Sequence, residues 1–141
     1  MAGLIHPPTM AAYNATKAAV VALSETLAVE LAPDNIRVSV VCPGFFRTNL
    51  VESLRTSNEH ARKMTSKLVD KAERDADDVA DYTFHAAEKG DFHILPHPEG
   101  QRVWALKRLS PWRLYERILR DRTKRMRSPT DAGLLTAARR R

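Results

Sequence analysis

At 141 residues, with 28% charged and only 6% aromatic side chains, the chain suffices for one domain with a modest core. A single cysteine excludes an internal disulfide framework, and the most apolar stretch, Ala18 to Leu31, is broken by Ser24, Glu25 and Glu30, which excludes a membrane span. With no signal peptide apparent, a reducing cytoplasm is the expected compartment. The net charge of +6 is unevenly placed: residues 1–100 carry 10 Lys/Arg against 14 Asp/Glu, and residues 101–141 carry 13 against 3.

The first predicted element is an alanine- and valine-rich helix that opens near Tyr13 and runs to about Leu31. Tyr13 and Lys17 stand four apart at its front and so share a face. A free phenol, with a pKa near 10, holds its proton too firmly to act as a base at neutral pH; an adjacent cation favours phenolate. An ammonium also donates hydrogen bonds, for example to ribose hydroxyls, so one pair could tune a proton donor and position a cofactor. By itself this spacing is common by chance, and a core-facing tyrosine beside a solvated lysine is the plainer reading.

The order of the next segments changes that balance. Asp34 and Asn35 predict a turn, Ile36 to Val41 reads as a buried strand, and Cys42, Pro43, Gly44, Phe45, Phe46, Arg47 and Thr48 follow at once as a loop. Helix, strand and a Pro-Gly loop at the strand's carboxyl end describe half of a doubly wound α/β unit, in which ligands bind at strand carboxyl ends. Cys42 is expected to be a small buried hydrophobe.

A charged segment then extends from Thr48 to Arg74, with Leu50, Val51, Leu54, Met64 and Leu68 at loosely helical spacing. Asp75, Asp77 and Asp78 open another helix where its dipole favours acids, Val79, Tyr82, Thr83 and Ala86 give it a packable face, and Gly90 stops it. Phe92 to Leu95 is the second predicted strand, closed by Pro96. His93 and His97 are four apart but lie on a strand and beyond a proline, with no carboxylate or thiol cluster, so no metal site is expected.

Beyond residue 100, Ser110 and Pro111 start a helix in which Trp112, Tyr115, Ile118, Leu119 and Met126 form an apolar edge among Arg113, Arg117, Arg120, Arg122, Lys124 and Arg125. Such a helix either packs on its own or a neighbouring subunit, which is the favoured expectation, or makes peripheral contact with an anionic membrane. No recognised nucleic-acid module surrounds it, and nucleic acid is not expected as a partner. Residues 127–141 are expected to be disordered.

Taken together, Tyr13, Lys17, the strand, Cys42, Pro43, Gly44 and Thr48 make residues 1–95 resemble the C-terminal half of a short-chain dehydrogenase/reductase, a family with Tyr-x-x-x-Lys on a helix followed by a strand ending in Asn/Cys-Pro-Gly. Ala2, Gly3 and Leu4 also fit the loop that precedes the family's tyrosine. The resemblance implies the C-terminal part of a Rossmann fold over residues 1–100 with a substrate lid at about 48–74, and the charge and helical patterning beyond it predict a basic helical extension at 101–126. It implies a nicotinamide cofactor, NAD or NADP, held by Tyr13, Lys17, Pro43, Gly44, Phe45 and Thr48, with Tyr13 and Lys17 catalytic toward a carbonyl or secondary alcohol. It also implies a homo-oligomer for the complete protein. The family's catalytic serine would fall immediately before Met1, and its glycine-rich loop and cofactor-selecting residue further upstream. The chain is therefore expected to be truncated, poorly stable in isolation and not competent alone. The alternatives are an inactive remnant, or a basic interaction module acting through residues 101–126.

Overall fold

The computed structural model describes residues 1–8, 10–49 and 59–123. Leu50, Val51 and Leu54 of the expected lid, the Met64 side chain, and Lys124, Arg125, Met126 and the expected disordered tail at 127–141 lie outside the described residues. The chain forms two compact units, Met1–Trp104 and Ala105 onward.

The first unit begins with a one-turn helix, α1 (Ala2–Ile5), followed by α2 (Ala11–Glu30). The interior of α2 contains neither Gly nor Pro and is rich in alanine, the best helix former, so its twenty residues run unbroken. Ser24 and Thr26 bond back to the carbonyls of Val20 and Ala22, at 2.8 and 3.1 Å, and so stay within the helix. Among the described residues no side chain caps the start of α2. Instead Asn14, buried one turn in, donates from Nδ2 to the Pro7 carbonyl at 2.7 Å and ties the incoming chain to the helix.

A short 3-10 turn (Ala32–Asp34) ends at Asn35, whose φ of 58° is a left-handed conformation that asparagine tolerates. The chain then enters β1 (Val40–Val41), which pairs in parallel with β2 (His93–Ile94), Val40 opposite His93 and Val41 opposite Ile94. Both strands are shorter than the expected Ile36–Val41 and Phe92–Leu95. A strand is defined by its pairing, and here each has one neighbour that engages it over only two register positions. Ser39 still reaches across, donating to the Asp91 carbonyl at 2.8 Å, and Arg37 donates to the Glu88 carbonyl at 3.4 Å.

Between the strands lie α3 (Glu59–Asp70) and α4 (Ala76–Lys89). α4 follows the expected bounds. Asp75 and Asp78 form a reciprocal capping box, and Gly90 closes the helix at φ 83° with its N–H on the Ala86 and Ala87 carbonyls. The backbone bonds from Asp78 and the neighbouring Arg47 guanidinium keep the Asp75 carboxyl below the usual carboxylate range.

Leu4, Val21, Val40, Cys42 and Leu95 form the core of this unit, with Met1, Ile5, Phe92 and Trp104 packed against them. The Cys42 thiol is buried there, and burial raises its pKa. α1 lies flush on α2 because residue 3 is glycine: a Cβ at that position would stand 2.5 Å from the Lys17 carbonyl oxygen.

Helices α5 (Pro98–Leu109) and α6 (Trp112–Thr123) complete the order. The basic extension is thus broken at Ser110 and Pro111, where a proline ring cannot continue α5 but suits the start of α6. Of the expected apolar edge of α6, Tyr115 is buried and Ile118 and Leu119 are half-buried, whereas Trp112 stays 65% exposed. The architecture is α/β: a small parallel sheet and otherwise mostly helices.

Two substitutions probe this packing. Ile94→Ala, at the most buried side chain of β2, should cost about 2–5 kcal/mol in urea unfolding. Gly3→Ala should cost about 1–3 kcal/mol through overpacking and should shift the amide resonances around Lys17, far more than Gly100→Ala shifts them.

Candidate active site

Tyr13 and Lys17 project from the first turns of α2, and both are exposed among the described residues. The Lys17 ammonium lies 5.4 Å from the Tyr13 ring centroid, within reach of a cation–π contact. Thr16, between them, turns its hydroxyl back to the Tyr13 carbonyl at 2.8 Å and so takes no part in their shared face. The helix thus presents a phenol and a cation together to an incoming ligand.

Pro43, Gly44 and Phe45 follow the carboxyl end of β1. The Pro43–Gly44 peptide unit is gripped at both ends: the Met1 backbone nitrogen donates to the Pro43 carbonyl at 2.9 Å, and the Gly44 N–H donates to Nδ1 of His97 at 3.0 Å. The His97 imidazole packs so closely that a Cβ on Gly44 would meet its Cγ at 3.2 Å, which explains the glycine. Phe45 is 43% exposed. Thr48 is exposed on a bend just past Arg47, and Arg47 is anchored by its N–H on the Arg74 carbonyl at 3.0 Å and by a 3.5 Å ion pair with Asp75.

α1 joins the Tyr13–Lys17 pair to the Pro43–Gly44 loop. Its Gly3 rests on the turn of α2 that carries Lys17, and its leading residue Met1 holds the Pro43 carbonyl. Thr48 belongs to a separate anchor, set by Arg47 and the α4 cap. A shallow concavity of about 300 Å3 is lined by Ala28, Asn35, Ile36, Val38 and Phe92, toward the amino end of β1, and includes none of the candidate residues.

Sequence reasoning passed over His97, Arg47 and Asn14 as contributors to this architecture. His97 was weighed only as a metal ligand, yet its partner is a backbone amide. Burial first, and then the Arg74 guanidinium, hold its imidazole below the ordinary value of 6.5. His93 is engaged elsewhere, 4.7 Å from the Trp104 ring and 3.8 Å from the Glu25 carboxylate. Among the described residues no group of three or more His, Cys, Asp or Glu could hold a metal ion.

The residues present suit part of a nicotinamide site. An exposed phenol and ammonium can bond to ribose and substrate oxygens, and Phe45 offers a flat apolar surface beside a loop at a strand's carboxyl end. Of the backbone groups expected to contribute, the Pro43 carbonyl and the Gly44 N–H already have partners within the chain. That leaves Phe45 and Thr48 as the more available part of the loop.

Comparison with known proteins identifies the family of the chain. A family profile described as enoyl-(acyl carrier protein) reductase matches residues 1–90. The CLA biosynthesis dehydrogenase/reductase of Lactiplantibacillus plantarum is 30% identical over 146 aligned positions, covering 89% of this chain and 45% of that protein. The oxidoreductase UcpA of Escherichia coli K12 is 48% identical over 56 residues, 39% of this chain and 21% of its own length. A crystal structure of a short-chain dehydrogenase/reductase from Burkholderia phymatum in complex with NAD is similar at a TM-score of 0.65 and 33% identity, covering 74% of this chain and 43% of that one. The chain spans less than half the length of these relatives. With residues 1–90 matched by the family profile and 74% of the chain matched by a solved member's fold, this chain belongs to the short-chain dehydrogenase/reductase family.

Proposed function

We propose that this chain supplies the proton-transfer and nicotinamide-positioning part of an oxidoreductase that interconverts a carbonyl compound and a secondary alcohol. The observation that carries this reading is the Tyr13 phenol and Lys17 ammonium held together and exposed on α2, in a chain of this family. The cofactor, NAD or NADP, supplies the hydride. Tyr13 gives its proton to the carbonyl oxygen in reduction, or removes the hydroxyl proton in oxidation. Lys17 stabilises the charge left on the phenolic oxygen and donates to the nicotinamide ribose. Phe45 and Thr48 face the carboxamide end, with Pro43 and Gly44 fixing the loop that presents them. The chain spans less than half the length of its relatives, so these roles are proposed for it as part of a complete dehydrogenase domain.

The lone cysteine, buried in the core, supports a cytoplasmic setting. The apolar residues that α2 leaves exposed, among them Val20 and Leu23, support a homo-oligomer for the complete protein. Within a complete dehydrogenase domain, Tyr13→Phe should lower turnover by about 10²–10⁴-fold, with NAD(P) affinity changed less than about twofold. Substantial residual turnover in that variant would remove the role given to Tyr13.

A second reading concerns the second unit. Leu109 and Trp112 are 85% and 65% exposed beside Arg108 and Arg113, an arrangement that suits an anionic lipid surface. The inward Tyr115 supports ordinary packing for the rest of α6. If the membrane reading holds, the chain should sediment with phosphatidylserine vesicles at low salt and lose that binding on Trp112→Ala or in about 0.5 M salt. No sedimentation at low salt would leave α6 as a packing helix.

A further inference from the structure

We propose that His97 is a positioning residue for the loop after β1, gripping the Pro43–Gly44 peptide through Gly44 and releasing it when the imidazole takes up a proton. For its consequence on cofactor binding, this rests on the reading of that loop as part of the nicotinamide site.

The grip follows from the geometry of one peptide unit. All described peptide bonds are trans, so the Pro43 carbonyl and the Gly44 N–H point in opposite directions. A donor on one side and an acceptor on the other therefore fix the peptide plane itself. The donor is the Met1 backbone nitrogen and the acceptor is Nδ1 of His97. Because the next residue is Phe45, the orientation of this plane sets the direction in which the more available part of the loop leaves the strand.

The acceptor role demands a particular imidazole. Nδ1 can accept only when it is unprotonated, so the neutral ring carries its proton on Nε2. Nε2 is buried, with no hydrogen-bond partner among the described residues. An imidazolium would place an N–H on Nδ1 facing the Gly44 N–H across 3.0 Å, two donors with nothing between them. The charged groups around the ring are mixed. Arg74, ahead of α4, and the Met1 amino group oppose protonation, whereas Glu99 in the first turn of α5 and the Phe45 main chain favour it; burial outweighs each of these. The neutral form is thus the one the fold selects.

The sign of the pH dependence is fixed by this. The folded state binds the His97 proton less readily than the unfolded chain, so its contribution is fully present above the ordinary value of 6.5 and is lost as pH falls through the lower folded value. Loop order should follow the same course.

The test uses the 15N-labelled chain, followed by amide and imidazole NMR from about pH 4.5 to about pH 8. The expected result is an unprotonated Nδ1 at neutral pH, a midpoint for His97 below 6.5, and a Gly44 amide that shifts with the same midpoint and exchanges at least about tenfold faster below it. His97→Asn, which offers an uncharged acceptor near Nδ1, should protect Gly44 at every pH and abolish the step; His97→Leu should leave Gly44 unprotected throughout. A Gly44 amide indifferent to the His97 titration, a protonated Nδ1 at neutral pH, or a step that survives His97→Asn would overturn the proposal. The wild-type titration decides the matter even where a variant fails to fold. Calorimetry with NAD+ on this segment within a complete dehydrogenase domain separates the two readings. A Gly44 step without NAD+ binding would refute the cofactor reading and leave the grip standing. NAD+ binding that weakens at least about fivefold across the His97 midpoint, and not in His97→Asn, supports both. NAD+ binding flat across that midpoint would overturn the positioning role.

Discussion

The parallel pairing of β1 with β2 is the constraint on which the first unit depends. The Val40 N–H reaches the Phe92 carbonyl at 2.7 Å and the Cys42 N–H reaches that of Ile94 at 2.9 Å, so two segments some fifty residues apart are locked in one register. Parallel strands cannot be joined by a tight turn, and the crossover here contains α3 and α4. Shifting that register by one residue would turn Val40 and Cys42 out of the core and replace them with Val41. It would also carry Pro43 and Gly44 away from their partners, because the loop departs directly from the strand's end.

The loop is held as if by a frame rather than by its own turn chemistry. Met1 grips it from α1, His97 from the segment after β2, and Arg74 with Asp75 from the cap of α4. Each contact comes from a different part of the chain, and none lies within the loop. α1 links this frame to the Tyr13–Lys17 turn through Gly3, so the Tyr13–Lys17 pair and the loop share one support. That arrangement suits a family whose chemistry relies on orientation.

What could be read from the sequence follows the range of the interactions concerned. α4 was legible to its ends because Asp75 and Gly90 act on their own backbone neighbours. The Tyr13–Lys17 pairing was legible because helical spacing alone places the two together. The strands were over-read: apolar residues from Ile36 to Val41 suit a strand, but how far a strand runs depends on its partner, and β2 engages only two positions. In α6 the apolar edge was visible, whereas which of its members turn inward depends on packing that periodicity does not report. The role of His97 was hidden for the same reason: its partner is a backbone amide far away in the chain, and no motif marks an acceptor for a peptide N–H.

Gly44 and His97 also constrain each other's inheritance. The ring stands 3.2 Å from the place a Cβ would occupy, and its nitrogen takes the amide of that same residue, so neither position can change size or polarity without altering what the other can be. Substitutions at these two sites, 53 positions apart, should therefore be coupled. Among relatives that carry a larger residue in place of this glycine, the imidazole should be absent as well.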